Sequence, residues 1–150
     1  MTDRILVLNG PNLNLLGHRE PAIYGRDTLA DVESLVRDRA TIHGWEVDFF
    51  QSNHEGALID ELHRGRTRNV GCVFNPAGYT HTSVALQDAV LASELPTVEV
   101  HLSNPHAREE FRHRSFISPV AVAVVAGAGI AGYGFGIDIL ADRLNPARSA

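Results

Sequence analysis

Lysine is missing from the chain: every one of its 13 basic residues is an arginine. This excludes an imine between a lysine amine and a carbonyl substrate, pyridoxal phosphate attachment, and the phosphate-gripping lysine of a P-loop. Cysteine is scarce as well. Cys72 stands alone inside the apolar run Val70 to Phe74, so there is no disulfide framework, and the thiol reads as buried filler in a reducing compartment. Long hydrophobic runs are lacking too. The longest, Val120 to Ala131, is interrupted by glycines and falls well short of the roughly 20 residues a membrane span needs. Met1-Thr2-Asp3-Arg4 leads straight into a strand-like run, with neither a basic leader nor a cleavage pattern, so the expectation is a cytoplasmic protein without a membrane partner. Positive charge is in deficit: the formal net charge is -5, which argues against nucleic acid as a partner. The eight histidines are scattered, with no His-Glu-x-x-His spacing and no cysteine partner, and predict no metal site.

What is present is a chain of 150 residues, 44% of them hydrophobic, enough for one domain over 1–150 with a proper core. Ile5 to Leu8 is an unbroken run of β-formers ending in the turn residues Asn9-Gly10-Pro11-Asn12. A loop bracketed by Gly17 and Gly25 follows. A helix is then predicted from Thr28, which with Asp31 resembles a capping box, to His43-Gly44, with Leu29, Val32, Leu35, Val36 and Ala40 on one face. Trp45 to Phe50 is a second strand, and Ala57, Leu58, Glu61 and Leu62 begin a second helix. Val70 to Phe74 is a third strand, Ser83 to Ala92 a helix closed by Pro96, and Thr97 to Asn104 a fourth strand. Val120 to Ala126 is the fifth strand and Ile130 to Leu144 a last helix. Alternating strands and helices predict an α/β fold: a doubly wound five-stranded parallel sheet, flavodoxin-like, in the order 2-1-3-4-5. Ligands of such sheets bind beyond the carboxyl ends of the strands, near the switch point between strands one and three.

The residues able to do chemistry gather at those ends. Asn12 follows strand one, Asn75 ends strand three and His101 ends strand four. Glu99 and His101 are two apart on a strand and so share a face. A carboxylate there favours the imidazolium and can orient the ring for general acid catalysis, although the same pair would also suit an exposed strand face. Asn75 to His81 breaks a strand with turn formers and small residues. It could turn amides and side chains toward a ligand, or be an ordinary turn with Thr82 or Ser83 as helix cap. Arg108 and Arg112 stand four apart; on a helix their guanidiniums would share a face and suit an anion, or they would pair with Glu109 and Glu110. Arg64, Arg66 and Arg68 read as a helix C-terminus complemented by cations, or as a subunit contact. Asp88 reads by itself as a solvated carboxylate. The segment from Gly17 to Gly25 carries Arg19 and Tyr24 with little apolar periodicity, as lids do. A tyrosine ionises near pH ~10 in water, so a phenolic base at neutral pH needs about 4 kcal/mol from its surroundings. A single arginine at ~4 Å supplies that at an effective dielectric of ~20. Gly127-Ala128-Gly129-Ile130-Ala131-Gly132 matches the dinucleotide-binding fingerprint in form, but neither a further strand nor an acidic residue about 20 positions on follows it. These glycines are assigned to a tight turn and helix packing.

Taken together, Leu8 to Gly17, Arg19-Glu20-Pro21 with Tyr24-Gly25, Gln51 to Gly56, Asn75 to Ser83, Glu99-Val100-His101 and Arg108 to Arg112 resemble type II 3-dehydroquinate dehydratase over nearly the whole chain. The resemblance implies dehydration of 3-dehydroquinate to 3-dehydroshikimate without a cofactor, in a homo-oligomer, a dodecamer of trimers. It further implies Tyr24 as the base beside the ketone, supported by Arg19 and Arg108, and Asn12 at the enolate. His101, oriented by Glu99, would be the acid. Asn75, His81, Leu102, Ser103 and Arg112 would contact substrate, and Asp88 would reach a neighbouring subunit's site. The alternative from another class is a flavodoxin-like binding or signalling module without catalysis. A receiver would want acidic residues after strand one and a lysine near the end, and a flavin binder a hydroxyl-rich phosphate loop; the chain has none of these.

Overall fold

The computed structural model describes residues 1–149. Five parallel strands, β1 (Arg4–Asn9), β2 (Glu46–Gln51), β3 (Gly71–Asn75), β4 (Thr97–His101) and β5 (Ala123–Ala126), form one sheet in the order β2-β1-β3-β4-β5. The helices are α1 (Pro21–Tyr24), α2 (Leu29–Ile42), α3 (Glu55–Arg68), α4 (Val84–Ser93), α5 (Ala131–Arg143) and the short α6 (Pro146–Ser149). Alternation along the strands divides the core in two. Ile5, Val7, Val73, Val98 and Val100 face the layer of α2 and α5, whereas Leu6, Leu8, Cys72 and Phe74 face the layer of α3 and α4. This is the flavodoxin-like arrangement the alternating pattern predicts. No helix among the described residues is long and apolar enough to cross a membrane.

Local chemistry sets the helix boundaries. Thr28 and Asp31 complete the expected capping box on α2, and Ser83 accepts the Leu86 amide at 2.9 Å to start α4, which settles the choice between Thr82 and Ser83. The glycines of α5 suit close packing on the sheet: a Cβ at Gly136 would lie 3.2 Å from Val73 and one at Gly132 3.3 Å from Val125. Arg66 and Arg68 do lie in the last turn of α3, and the cluster is also paired, Arg64 with Glu61, Arg66 with Glu94 at 3.1 Å and Arg68 with Asp48 at 3.7 Å.

Strand four ends at His101 rather than Asn104, and three further expectations change in detail. Strand five begins at Ala123 rather than Val120, because Ser118–Val120 form a 3-10 turn around Pro119, which has no amide to give a ladder. Arg108 and Arg112 do not share a helix. Asn104 caps one 3-10 turn, Pro105–Ala107, by accepting the His106 amide, and Arg112 ends a second, Glu110–Arg112. The loop expected between Gly17 and Gly25 contains one helical turn, α1, which Pro21 starts and Tyr24 ends.

Candidate active site

The loops after β1 and β3 leave the sheet in opposite directions, and a cavity of about 180 Å³ opens between them. Asn12 enters it from a left-handed backbone (φ 69°), its amide held by Asn53 Oδ1 at 2.9 Å. Asn75, at the end of β3, is followed by Ala77, also left-handed (φ 52°), then by Gly78 and His81, all on the cavity wall. L-residues pay for that conformation, and two of the four that adopt it here sit on this wall. The far side is His101, Leu102 and Ser103 at the end of β4, with Arg108 and Arg112 beyond. Arg19 and Tyr24 line the cavity from the segment between Gly17 and Gly25. The lining thus holds three arginines and no carboxylate, a wall made for an anion.

Ten of the twelve nominated residues line this one cavity; Glu99 and Asp88 do not. Glu99 lies directly behind it, fully buried, with its Oε2 receiving His101 Nε2 at 2.6 Å. The exposed strand face that the Glu99/His101 alternation also allowed is therefore wrong. Asp88 is exposed on α4, away from the cavity. Tyr24 and His101, far apart in sequence, open onto the same space. Arg108 Nη1 donates to Tyr24 Oη at 2.8 Å, and the Arg19 and Arg108 guanidinium carbons lie 5.1 and 5.2 Å from the Tyr24 ring centroid. Arg112 is held from outside by Glu109 at 2.7 Å.

The protonation of two groups is legible from their surroundings. Burial alone would raise the Glu99 carboxyl, but the hydrogen bond and charge of His101, with Ser118 and Thr80, outweigh it and hold the group at about 2. Burial lowers His81, with His101 and Arg112 adding to the effect and the Arg114 carbonyl opposing it. Its Nδ1 donates to that carbonyl at 2.8 Å, so a neutral His81 presents Nε2 as an acceptor.

Residue patterns gave no notice of the supports behind the wall. Tyr133 of α5, fully buried, donates to Asn9 Oδ1 at 2.8 Å and accepts from Asn75 Nδ2 at 2.9 Å, while Asn75 Oδ1 takes the Ala77 amide at 3.1 Å. These bonds use one proton and the oxygen of Asn75 and fix which way its amide faces. Thr80, Ser115 and Ser118 surround Glu99. The only sequence signal for them was Glu99 itself, since a carboxylate on a strand that is otherwise apolar must find donors. The glycine run after β5 also serves the site: the Gly127 and Gly129 amides bond the His101 and Leu102 carbonyls at 3.2 and 3.1 Å, and both glycines have positive φ.

Fold and site together define a doubly wound α/β protein with an arginine-lined pocket for a small anion and a carboxylate-held histidine at its wall. Residues 3–141 match the model of the family described as dehydroquinase class II. The chain is 72% identical over 143 residues to 3-dehydroquinate dehydratase 1 of Corynebacterium efficiens, covering 95% of each. Among solved structures it is similar to the type II dehydroquinase of Propionibacterium acnes (TM-score 0.90, 39% identity, 95% of this chain and 98% of the other). It is also similar to that of Butyrivibrio crossotus (TM-score 0.89, 42% identity, 93% and 97%). The chain belongs to the class II dehydroquinases, and is an enzyme of the hydro-lyase type.

Proposed function

We propose that the chain, acting as one catalytic domain, eliminates water from 3-dehydroquinate to give 3-dehydroshikimate in the shikimate route to aromatic amino acids. The arginine-lined cavity shared by Tyr24 and His101 carries this reading. The three guanidiniums, Arg112 foremost, draw in the carboxylate, and His81, Asn75, Ser103 and the Leu102 backbone orient the ring and its hydroxyls. Tyr24 Oη takes the proton next to the ketone. Arg108, bonded to that oxygen, and Arg19, over the ring, favour negative charge there before the transfer.

The electron pair of the broken C–H bond moves onto the ketone oxygen as an enolate, whose charge Asn12 helps to hold. As the ketone re-forms, the pair becomes a double bond between the deprotonated carbon and its neighbour, and the neighbour's carbon–oxygen bond breaks on the face opposite the lost proton, an anti elimination. His101 gives a proton to the departing hydroxyl, which leaves as water. With Nε2 engaged by Glu99, the proton given comes from Nδ1. The step uses no cofactor or metal.

In this reading the enzyme is a cytoplasmic dodecamer of trimers. Val84, Asp88 and Leu91 lie at i, i+4 and i+7 on α4, and the two apolar residues are 52% and 58% exposed, which supports a subunit contact around Asp88. The test is direct: mixing the purified protein with 3-dehydroquinate in chelator gives rising enone absorbance, undiminished by prior borohydride treatment. No absorbance change at any substrate concentration ends the assignment.

A further inference from the structure

The Glu99 carboxylate has no access to water, so everything that keeps it charged comes from the protein. Oε2 faces His101 Nε2 at 2.6 Å, Thr80 Oγ1 at 2.5 Å and Ser115 Oγ at 2.9 Å, and Oε1 faces Ser118 Oγ. Ser115 is the informative member. Its Oγ accepts the Ile117 and Ser118 amides, both at 3.0 Å, which uses both lone pairs and leaves it only a proton to give. That proton points to Glu99 or to Thr80 Oγ1, which lies 2.9 Å away. If it goes to Thr80, then Thr80 in turn is driven to donate to Glu99. Backbone geometry thus sets the direction of the hydroxyl chain, and it runs toward the carboxylate.

The consequence reaches His101. A proton placed on Glu99 would confront donors on every side, whereas a charged acceptor strengthens each of those bonds about twofold over a neutral one. The proton between Glu99 and His101 therefore stays on Nε2, and the ring keeps Nδ1 for the cavity it lines. The hydroxyls also come from two segments that build that cavity. Thr80 lies between Gly78 and His81, and Ser115 and Ser118 follow Arg112; the Phe116 amide bonds the Thr80 carbonyl at 2.8 Å beside them.

We propose that Thr80, Ser115 and Ser118 are positioning residues for the reaction: together they clamp Glu99 as a pure acceptor and thereby fix which nitrogen of His101 delivers the proton. The role in turnover rests on the dehydratase reading above; the effect on the His101 ring does not.

The test combines Thr80→Val with Ser118→Ala, and compares Thr80→Ser with Ser118→Thr. The hydroxyl-free double variant should lose about tenfold or more in kcat with KM within about twofold, and the hydroxyl-keeping pair should recover most of it. In protein labelled with 15N-histidine, with the His101 signals identified by their loss in His101→Gln, the parent shows Nε2 protonated and the double variant shows Nε2 as an acceptor. Should the double variant fail to fold, Ser118→Ala alone, at a half-buried position, carries both readouts. A folded variant with kcat within twofold of the parent and unchanged His101 nitrogen signals overturns the clamp, as does a loss appearing in KM alone. If the parent itself has no dehydratase activity the function falls, and the nitrogen signals still decide the clamp.

Discussion

Two tyrosines at this site have opposite duties, and the same substitution separates them. Tyr24 is half-buried at the end of α1, and its oxygen accepts from Arg108 at 2.8 Å. Removing the oxygen costs little stability, because Arg108 Nη1 faces the open cavity and has Ser103 Oγ at 3.5 Å as a further partner. Tyr24→Phe should therefore lower kcat by about a hundredfold or more, the range for a lost acid–base group, with the melting temperature within a degree or two of the parent. Tyr133 is the reverse case. It is fully buried and joins Asn9 to Asn75, and burial pushes its phenol far above the usual range, so it serves as a hydrogen-bonding strut. Tyr133→Phe leaves an amide oxygen and an amide proton buried without partners, at about 1–3 kcal/mol each, so melting should fall by several degrees. Its effect on turnover should be smaller than that of Tyr24→Phe. An active Tyr24→Phe enzyme would remove the phenol from the chemistry, and a Tyr133→Phe enzyme with unchanged melting would deny the strut.

At the scale of elements, strands and helices were legible because each reports its own burial: β1 and β3 are continuous apolar runs covered on both faces, and α2 begins where Thr28 and Asp31 say it must. The stretch from Leu102 to Val122 was not. Its three 3-10 turns have no apolar period, and what orders them is distant, namely Glu99 drawing in Ser115 and Ser118 and Tyr24 engaging Arg108. The nominated residues on strand ends could be placed from alternation and topology. Thr80, Ser115, Ser118 and Tyr133 could not, because a partner contributed from another element leaves no mark on local spacing. Glycines make the same distinction testable. Gly10 lies where β1 passes β3, and a Cβ there would stand 2.3 Å from the Pro76 carbonyl oxygen, which is backbone and cannot swing aside. Gly10→Ala should force the two loops apart, with a loss of stability on the order of 1–3 kcal/mol and a loss of activity. Gly56, in the first turn of α3, has nothing within 4 Å of its would-be Cβ, and Gly56→Ala should raise stability by up to about 1 kcal/mol with unchanged turnover. Chemical denaturation of the two variants reads both signs, and equal effects would contradict the packing described.

For the whole molecule, the site and the fold share one carboxylate, so acid should disturb both together. Glu99 is held at about 2, against roughly 4.3 for a glutamate in an unfolded chain. A folded value below the unfolded one means that the unfolded chain binds more protons as pH falls. The stability Glu99 contributes is therefore complete above about pH 5 and is lost progressively as pH drops toward 2. The difference amounts to about 3 kcal/mol, or roughly 10 °C of melting temperature for a chain of this length. Asp48, drawn down chiefly by its hydrogen bond to Arg4, acts in the same direction. His81, lowered mainly by burial, also acts in that direction and begins near its unfolded value of about 6.5. Melting followed from pH 7 to pH 3 should fall slowly at first and then steeply below about 4.5. Glu99→Gln isolates the carboxylate. Its amide group would face the hydroxyl donors of Thr80, Ser115 and Ser118, so the variant should melt lower than the parent at pH 7, yet lose less between pH 5 and pH 3, and the two curves should converge in acid. Parallel curves across that interval would mean that the acid sensitivity resides in the surface carboxylates, and that the buried pair behind the pocket does not hold the molecule together.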